Sequence, residues 1–259
     1  MISLSIADGV AEVVLNAPQK LNSLEEQALA DLSQAYDDAA AAASRGEVRA
    51  LLLRGEGRAF CAGRDIAGVT PESDDAEAYL GGLVQPLLQN MSAFPAPTFA
   101  AAQGACLGVG LGLLLATDVV YVAENAKFGS PFAKLGATLD SGGHWYFTER
   151  LGMHRTLDLI YTAELISGTE AVAQGMFSRA LPADELLEST RAIVAKVATG
   201  ATGAFKASKE LVAHIRDQRL GLWASMQEEN AEQARLCKSE DYAEGFKAFQ
   251  ERREPRFAG

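Results

Sequence analysis

Thr98-Phe-Ala-Ala-Ala102-Gln-Gly104-Ala-Cys-Leu-Gly108-Val-Gly110-Leu-Gly112-Leu-Leu-Leu-Ala116 joins an apolar strand to a buried helix through a turn rich in glycine. Thr98 to Ala102 reads as the strand and Leu113 to Ala116 as part of the helix. Backbone N–H groups near Gly108 to Gly110 are therefore expected to lie unpaired at a helix N-terminus, a place that holds an anion or a developing oxyanion. A second glycine-flanked turn, Ala59-Phe-Cys-Ala-Gly63-Arg-Asp65, follows the strand Val48 to Arg54 and the turn Gly55-Glu-Gly57. Two such turns, around Gly63 and Val109, can each aim one N–H at a single oxygen atom, the arrangement of an oxyanion hole. Tight packing is the plainer reading of both glycine turns.

Working outward, Val10 to Asn16 reads as a strand. Ser23-Leu-Glu-Glu26 reads as a capping box opening a helix with Leu24, Ala28, Leu32, Ala35 and Tyr36 inward. Asp118 to Val122 is a further strand, so strands and helices alternate as in an α/β core with several crossover units. Helices dominate after Thr169. A break at Thr199-Gly-Ala-Thr-Gly203 divides residues 1–198, the core, from residues 199–259, a helical appendage. The polar run Thr70 to Asp75, Gly68 and the pair Gly81-Gly82 are loop signals in a segment from Ile66 to Phe94 expected to cover a pocket.

Composition narrows the function. A net charge of -11 over 259 residues disfavours nucleic acid and anionic membrane surfaces as partners. Mixed Glu and Lys faces such as Gln227 to Arg235 argue the same way. Cys61, Cys106 and Cys237 have no metal-ligand spacing, and Met1-Ile-Ser-Leu opens no basic-then-apolar leader, so a reduced, cytoplasmic protein is expected. No apolar stretch reaches the roughly 18 residues of a membrane span. His144, His154 and His214 lack the carboxylate spacing of a metal site, and Gly108-Val-Gly110-Leu-Gly112-Leu113 departs from the dinucleotide fingerprint.

Asp140 lies in Leu139-Asp-Ser-Gly-Gly-His-Trp145. One reading makes it a helix N-cap. The other places a carboxylate among Phe132, Leu139 and Trp145, which raises its pKa and suits it to take a proton beside a carbonyl.

At these residues the chain resembles the crotonase, or enoyl-CoA hydratase/isomerase, superfamily over essentially its whole length. Asn16-Ala-Pro-Gln-Lys-Leu-Asn22-Ser-Leu24, Ala59 to Ile66, Gln103 to Gly110, Ala126-Lys-Phe-Gly-Ser-Pro131 and the tail Asp241 to Phe257 carry the resemblance. It implies a spiral of repeated ββα units that binds acyl-CoA, with residues 199–259 building a homotrimer or hexamer. It implies that the Arg64 and Val109 N–H groups hold the thioester oxygen beside Gly108, and that Lys20, Leu21, Ala62, Asp65 and Ile66 line the coenzyme A. Phe246 and Lys247, and less directly Lys206 and Lys209, are placed near coenzyme A phosphates of a neighbouring subunit. Lys206 and Lys209 are otherwise read as solvated. No cofactor beyond the coenzyme A of the substrate, and no metal, is implied.

The departures are informative. Where hydratases of this superfamily carry two glutamates, this chain has Gly112 and Phe132. Asp140 falls where enoyl-CoA isomerases resembling the phenylacetate-pathway ring-epoxide isomerase keep a catalytic aspartate in Pro-Asp-x-Gly-Gly-Thr-Trp. The expectation is a double-bond shift by Asp140 in fatty acid or phenylacetate breakdown. The alternatives are hydration, a dehalogenase-like reaction with Asp140 as nucleophile and His144 nearby, and acyl-CoA binding without catalysis.

Overall fold

The computed structural model describes residues 1–70, 72 and 74–259; Pro71 and Ser73, inside the run read as a loop, lie outside the described residues. The chain opens with β1 (Ile2–Ala7) and β2 (Val10–Leu15), an antiparallel hairpin turned by Asp8 and Gly9 at φ 51° and 77°. Helix α1 (Glu26–Ser44) buries Ala28, Leu29, Leu32, Ala35, Tyr36 and Ala39, and β3 (Ala50–Gly55) follows, nearly all buried. Ser23 does not cap α1. The backbone at Leu24 is drawn into an extended bridge with Arg64, giving its N–H to the Gly63 carbonyl at 2.8 Å, so the helix starts only after Glu25.

Short α2 (Ala76–Tyr79), capped by the Asp75 carboxylate, runs through a π-helical turn at Leu80–Val84 into α3 (Gln85–Ser92). Gly81 and Gly82 are thus helical, not loop. Pro86 in the first turn of α3 offers no N–H, and the widened turn before it, closed by Gln85 N–H to Leu80, is the usual accommodation.

Two strand-strand-helix passages come next. β4 (Thr98–Ala102), β5 (Ala105–Leu107) and α4 (Val109–Leu115) form the first; β6 (Val119–Ala123), β7 (Lys127–Gly129) and α5 (Gly143–Thr162) form the second. β8 (Ile166–Ser167), α6 (Gly168–Ala173), β9 (Arg179–Leu181) and α7 (Leu186–Ala198) complete the mixed α/β core. The long strands make one sheet in the order β1-β2-β3-β4-β6-β9, parallel beyond the first hairpin, and the short ones make a second in the order β5-β7-β8. A parallel sheet covered on both faces explains why β3 and β4 read as unbroken apolar runs.

Helices α8 (Thr202–Gln218), α9 (Leu222–Leu236) and α10 (Glu240–Glu251) follow the break and expose Val212, Leu222, Trp223 and Phe249. Lys209 is not solvated: its ammonium meets Asp118 at 3.0 Å and the Phe94 carbonyl at 3.0 Å, fastening α8 to the core. Lys206 stays exposed beside Glu210. Arg49 fastens the other end through the carbonyls of Gly200 and Phe257.

One buried polar side chain organises the turn before α1. Asn22 is 1% exposed and sits at φ 56°, a conformation that asparagine tolerates better than most residues. Its Oδ1 accepts from the Ala17 N–H, and its Nδ2 donates to the carbonyls of Glu56 and Ala59 at 2.9 and 2.8 Å. Asn22→Leu leaves three backbone groups without partners and forces a left-handed leucine. The expected loss is about 3 kcal/mol, read as a lower midpoint in urea denaturation with an unchanged slope.

Candidate active site

The two glycine turns run side by side. Cys61 and Cys106 form a parallel backbone bridge, with Cys61 N–H donating to Ala105 and Leu107 N–H to Cys61, each at 3.0 Å. Three residues further along each strand stand Arg64 and Val109. Gly63 at φ 98° lies so close to the second turn that a Cβ would be 2.9 Å from the Leu107 carbonyl oxygen. Gly108 has φ 51° and ψ -123°, a combination open to glycine, and it directs the chain into α4.

The backbone pattern leaves two donors free. In the bridge between Leu24 and Arg64, Gly63 and Asp65 make the hydrogen bonds, so the Arg64 N–H faces away from Leu24. Val109 is the first residue of α4, whose N–H has no carbonyl within the helix. Neither N–H has a partner among the described residues. Gly108 differs from expectation, because its N–H is given to the Gly129 carbonyl at 3.3 Å.

Asp140 reaches this place through a tight turn. Gly143 N–H donates to the Asp140 carbonyl at 2.9 Å, and the two residues between, Ser141 and Gly142, have φ 53° and 83°. Helix α5 begins after Gly142 with no side-chain cap, so the Asp140 carboxylate is not an N-cap. It accepts a hydrogen bond from Ser141 Oγ at 2.8 Å. Burial pushes its pKa up, against the lowering effects of that bond and of the nearby Arg64 guanidinium. Among the described carboxylates whose pKa departs from the ordinary range, Asp140 alone is raised; Glu12, Glu47, Glu56, Asp65, Glu149, Asp217 and Glu244 are held low by cations or N–H donors.

The positions of the expected hydratase glutamates are filled. A Cβ at Gly112 would stand 2.5 Å from Ser141 Cβ, so the Asp140 turn packs directly on α4 one turn beyond Val109. The Phe132 ring lies against Gly108, 3.0 Å from where a Cβ would be. Leu139 turns into the core beside Phe128, Phe147 and Leu159. Trp145 is 46% exposed, carries the Arg216 guanidinium 5.5 Å from its ring centre, and lines a cavity of about 240 Å³ with Gly112 and Ser141. The expected wall of Phe132, Leu139 and Trp145 around the carboxylate is thus corrected in part: Leu139, ahead of α5, turns into the core, while Trp145 in the first turn of α5 is partly exposed along the cavity beside Ser141, and Phe132 stays against Gly108.

The Arg64 side chain stands here, together with Tyr79, which the sequence did not single out. The Arg64 guanidinium lies 4.1 Å from the Tyr79 ring centre and makes a two-point ion pair with Asp74 at 2.8 and 3.3 Å. Tyr79 OH donates to the Leu24 carbonyl at 3.2 Å. Arginine after a glycine turn carries no sequence signal for this direction. His144 is exposed and meets Thr138 at 3.2 Å, with no bond to Asp140.

Of the other predicted residues, Lys20 pairs with Asp65 at 3.1 Å, and Ala62 N–H donates to the Leu21 carbonyl at 2.9 Å, which ties the first turn to the Arg64 turn. Ile66 is 53% exposed at the edge of that group. Phe246 lies on α10 with Phe249 and Phe257 around a separate cavity of about 740 Å³, and Lys247 follows it on the same helix; a single chain does not bring them to Asp140. Among the described residues, no group of three or more His, Cys, Asp or Glu is placed to hold a metal, and no helix is long and apolar enough to cross a membrane.

Residues 5–259 match the family model described as enoyl-CoA hydratase/isomerase. A Rhodobacter capsulatus protein named "Probable enoyl-CoA hydratase" is 36% identical across 100% of this chain and 98% of its own length. The 1,2-epoxyphenylacetyl-CoA isomerase of Escherichia coli is 29% identical across 98% of this chain and 97% of its own. In three dimensions the chain is similar to the crystal structure of an enoyl-CoA hydratase from Bacillus anthracis, with a TM-score of 0.89, 29% identity and coverage of 100% and 99%.

Proposed function

The chain belongs to the enoyl-CoA hydratase/isomerase family, whose members act on acyl-CoA thioesters, and from that premise we propose that it shifts a double bond in an unsaturated acyl-CoA with Asp140 as the base. The thioester oxygen accepts from the Arg64 and Val109 N–H groups. Asp140 takes a proton from the carbon next to the thioester carbonyl, the two N–H groups stabilise the dienolate, and Asp140 returns the proton two carbons away. One base serves both transfers, and no cofactor is needed.

The observation that carries this reading is the placement of Asp140, a half-buried carboxylate with a raised pKa, in a turn packed against the helix whose first N–H is free. The names of several relatives favour hydration, a reaction for which the resemblance expects two glutamates to hold one water. Here Gly112 is closed by Ser141 and Phe132 covers Gly108. A dehalogenase-like reaction is disfavoured because His144 is turned to Thr138. Coenzyme A is expected along Lys20, Leu21, Ala62 and Asp65. The exposed apolar residues of α8 to α10 support a homotrimer or hexamer, the assembly that would give Phe246 and Lys247 a role at a neighbouring site.

The test is incubation of the protein with a 3-enoyl-CoA in heavy water, followed by mass spectrometry. Formation of the 2-enoyl-CoA with deuterium uptake supports the proposal; a 3-enoyl-CoA left unchanged while a 2-enoyl-CoA is hydrated to the 3-hydroxyacyl-CoA overturns it in favour of hydration.

Arg64 gives a pH prediction. Arg64→Ala keeps the backbone donor but removes the cation that favours the charged form of Asp140. The pKa of Asp140 then rises, the base stays protonated to higher pH, and the acidic limb of the kcat/KM profile is expected to move upward, by about half a pH unit for a partly solvated neighbour. An unmoved limb would show that Arg64 does not act on the base.

A further inference from the structure

We propose that Ser141 is a positioning residue for the base, holding the Asp140 carboxylate through its Oγ–H while its own backbone is fixed in a left-handed turn against Gly112. The inference rests on the reading of Asp140 as the base.

Three observations converge on Ser141. The first is the 2.8 Å hydrogen bond from its hydroxyl to Asp140 Oδ1, which is the side-chain hydrogen bond the carboxylate has among the described residues. The second is conformation. Ser141 is not glycine, yet it sits at φ 53° in the turn closed by Gly143, where glycine or asparagine would be less strained. The third is the close fit of its Cβ and Oγ to Gly112, 2.5 and 3.3 Å from the place of an added Cβ. A side chain at Gly112 would push the hydroxyl off the carboxylate. A side chain of another kind at Ser141 would leave the carboxylate free to rotate.

Position and protonation are linked here. The groups facing Asp140 are few: the Arg64 guanidinium after β3, itself engaged by Asp74, Tyr79 from α2, and Ser141 in its own turn. Burial favours the neutral acid, and the Ser141 hydroxyl and Arg64 favour the carboxylate. A carboxylate needed as a base must be charged at working pH, so the hydroxyl offsets part of the cost of burying it. The hydroxyl also leaves one carboxylate oxygen, Oδ2, free of a side-chain donor among the described residues for proton transfer.

The experiment compares Ser141→Ala, Ser141→Gly and Asp140→Asn with the natural protein in the 3-enoyl-CoA assay, recording kcat and KM from pH 5 to 9 and the thermal midpoint of each. Both Ser141 variants are expected to shift the acidic limb of kcat/KM upward by about one pH unit, with a fall in rate of about tenfold on that limb and little change in KM. Ser141→Gly relaxes the turn and Ser141→Ala does not. A shared shift in the pH profile with different thermal midpoints therefore separates the hydroxyl's role from a structural one. Loss of activity in Asp140→Asn together with natural pH profiles in both Ser141 variants overturns the inference and leaves the base in place. Retained activity in Asp140→Asn overturns the base itself, and with it the role given to Ser141.

Discussion

Asp140→Asn is expected to abolish double-bond migration, with kcat lower by about 10⁴-fold, while the protein becomes more resistant to heat. The activity loss follows because the amide cannot accept the proton, and no other carboxylate shares the turn against Gly112. The stability gain follows from the direction of the pKa. In the folded protein the carboxyl holds its proton to higher pH than in the unfolded chain, so folding is favoured below the unfolded value. That stability is lost as pH rises through the folded value. At neutral pH the charge is a cost, and asparagine removes it while its Oδ1 still accepts from Ser141. Parallel thermal melts and turnover assays check both halves. A variant that is inactive and less stable at neutral pH would mean that Asp140 supports the fold and would weaken its assignment as a functional burden carried for chemistry.

How far the sequence led differs from element to element, for physical reasons. Thr98 to Ala102 is a strand with the predicted bounds, because a buried parallel strand is a continuous apolar run that no solvent face interrupts. Of the opening hairpin the sequence shows the second strand, Val10 to Asn16, and the first strand goes unread, although Asp8-Gly9 between apolar runs is a turn signal. β5, β7 and β8 have three, three and two residues, too short for any periodicity, and they exist only because they pair with one another. Ser23 failed as a cap because a distant residue, Gly63, captured the Leu24 N–H. Lys209 failed as a solvated lysine because Asp118 and Phe94 lie far away in the chain.

The site shows the same division. Its backbone devices, Gly63 and Gly108 with their turns, were legible because glycine marks conformations other residues resist. The side-chain environment was not. Three-dimensional packing puts Tyr79, Asp74 and Ser141 around Arg64 and Asp140, and it turns Leu139 and Trp145 to other tasks. Motif spacing identifies the carboxylate, but the groups that set its protonation include one 76 residues distant in the chain, Arg64.

Gly110→Ala is expected to reduce turnover by about 10²- to 10³-fold although the alanine touches neither substrate nor base. An added Cβ would lie 2.5 Å from the Cys61 carbonyl oxygen, 2.7 Å from its Cβ and 2.8 Å from its Sγ, with rigid backbone among the colliding atoms. Cys61 is fully buried and bridged to Cys106, so it cannot withdraw without dragging the chain that leads to Gly63 and Arg64. The relief is a parting of that strand from α4, and a parting of even half an ångström takes one N–H out of reach of an oxygen held by the other. The loss should therefore resemble removal of one oxyanion donor, appearing mainly in kcat, with coenzyme A binding at the Lys20 and Asp65 edge much less affected. Some stability is lost as well, by about 1 to 3 kcal/mol, as in other overpacked cores. The comparison that isolates the cause is Gly110→Ala against Cys61→Ala. The cysteine variant removes Sγ from a buried place without inserting an atom between the two turns. It is expected to lose stability and keep most of its turnover. Equal turnover losses in the two variants would show that packing in general, and not the spacing of Arg64 and Val109, limits the reaction.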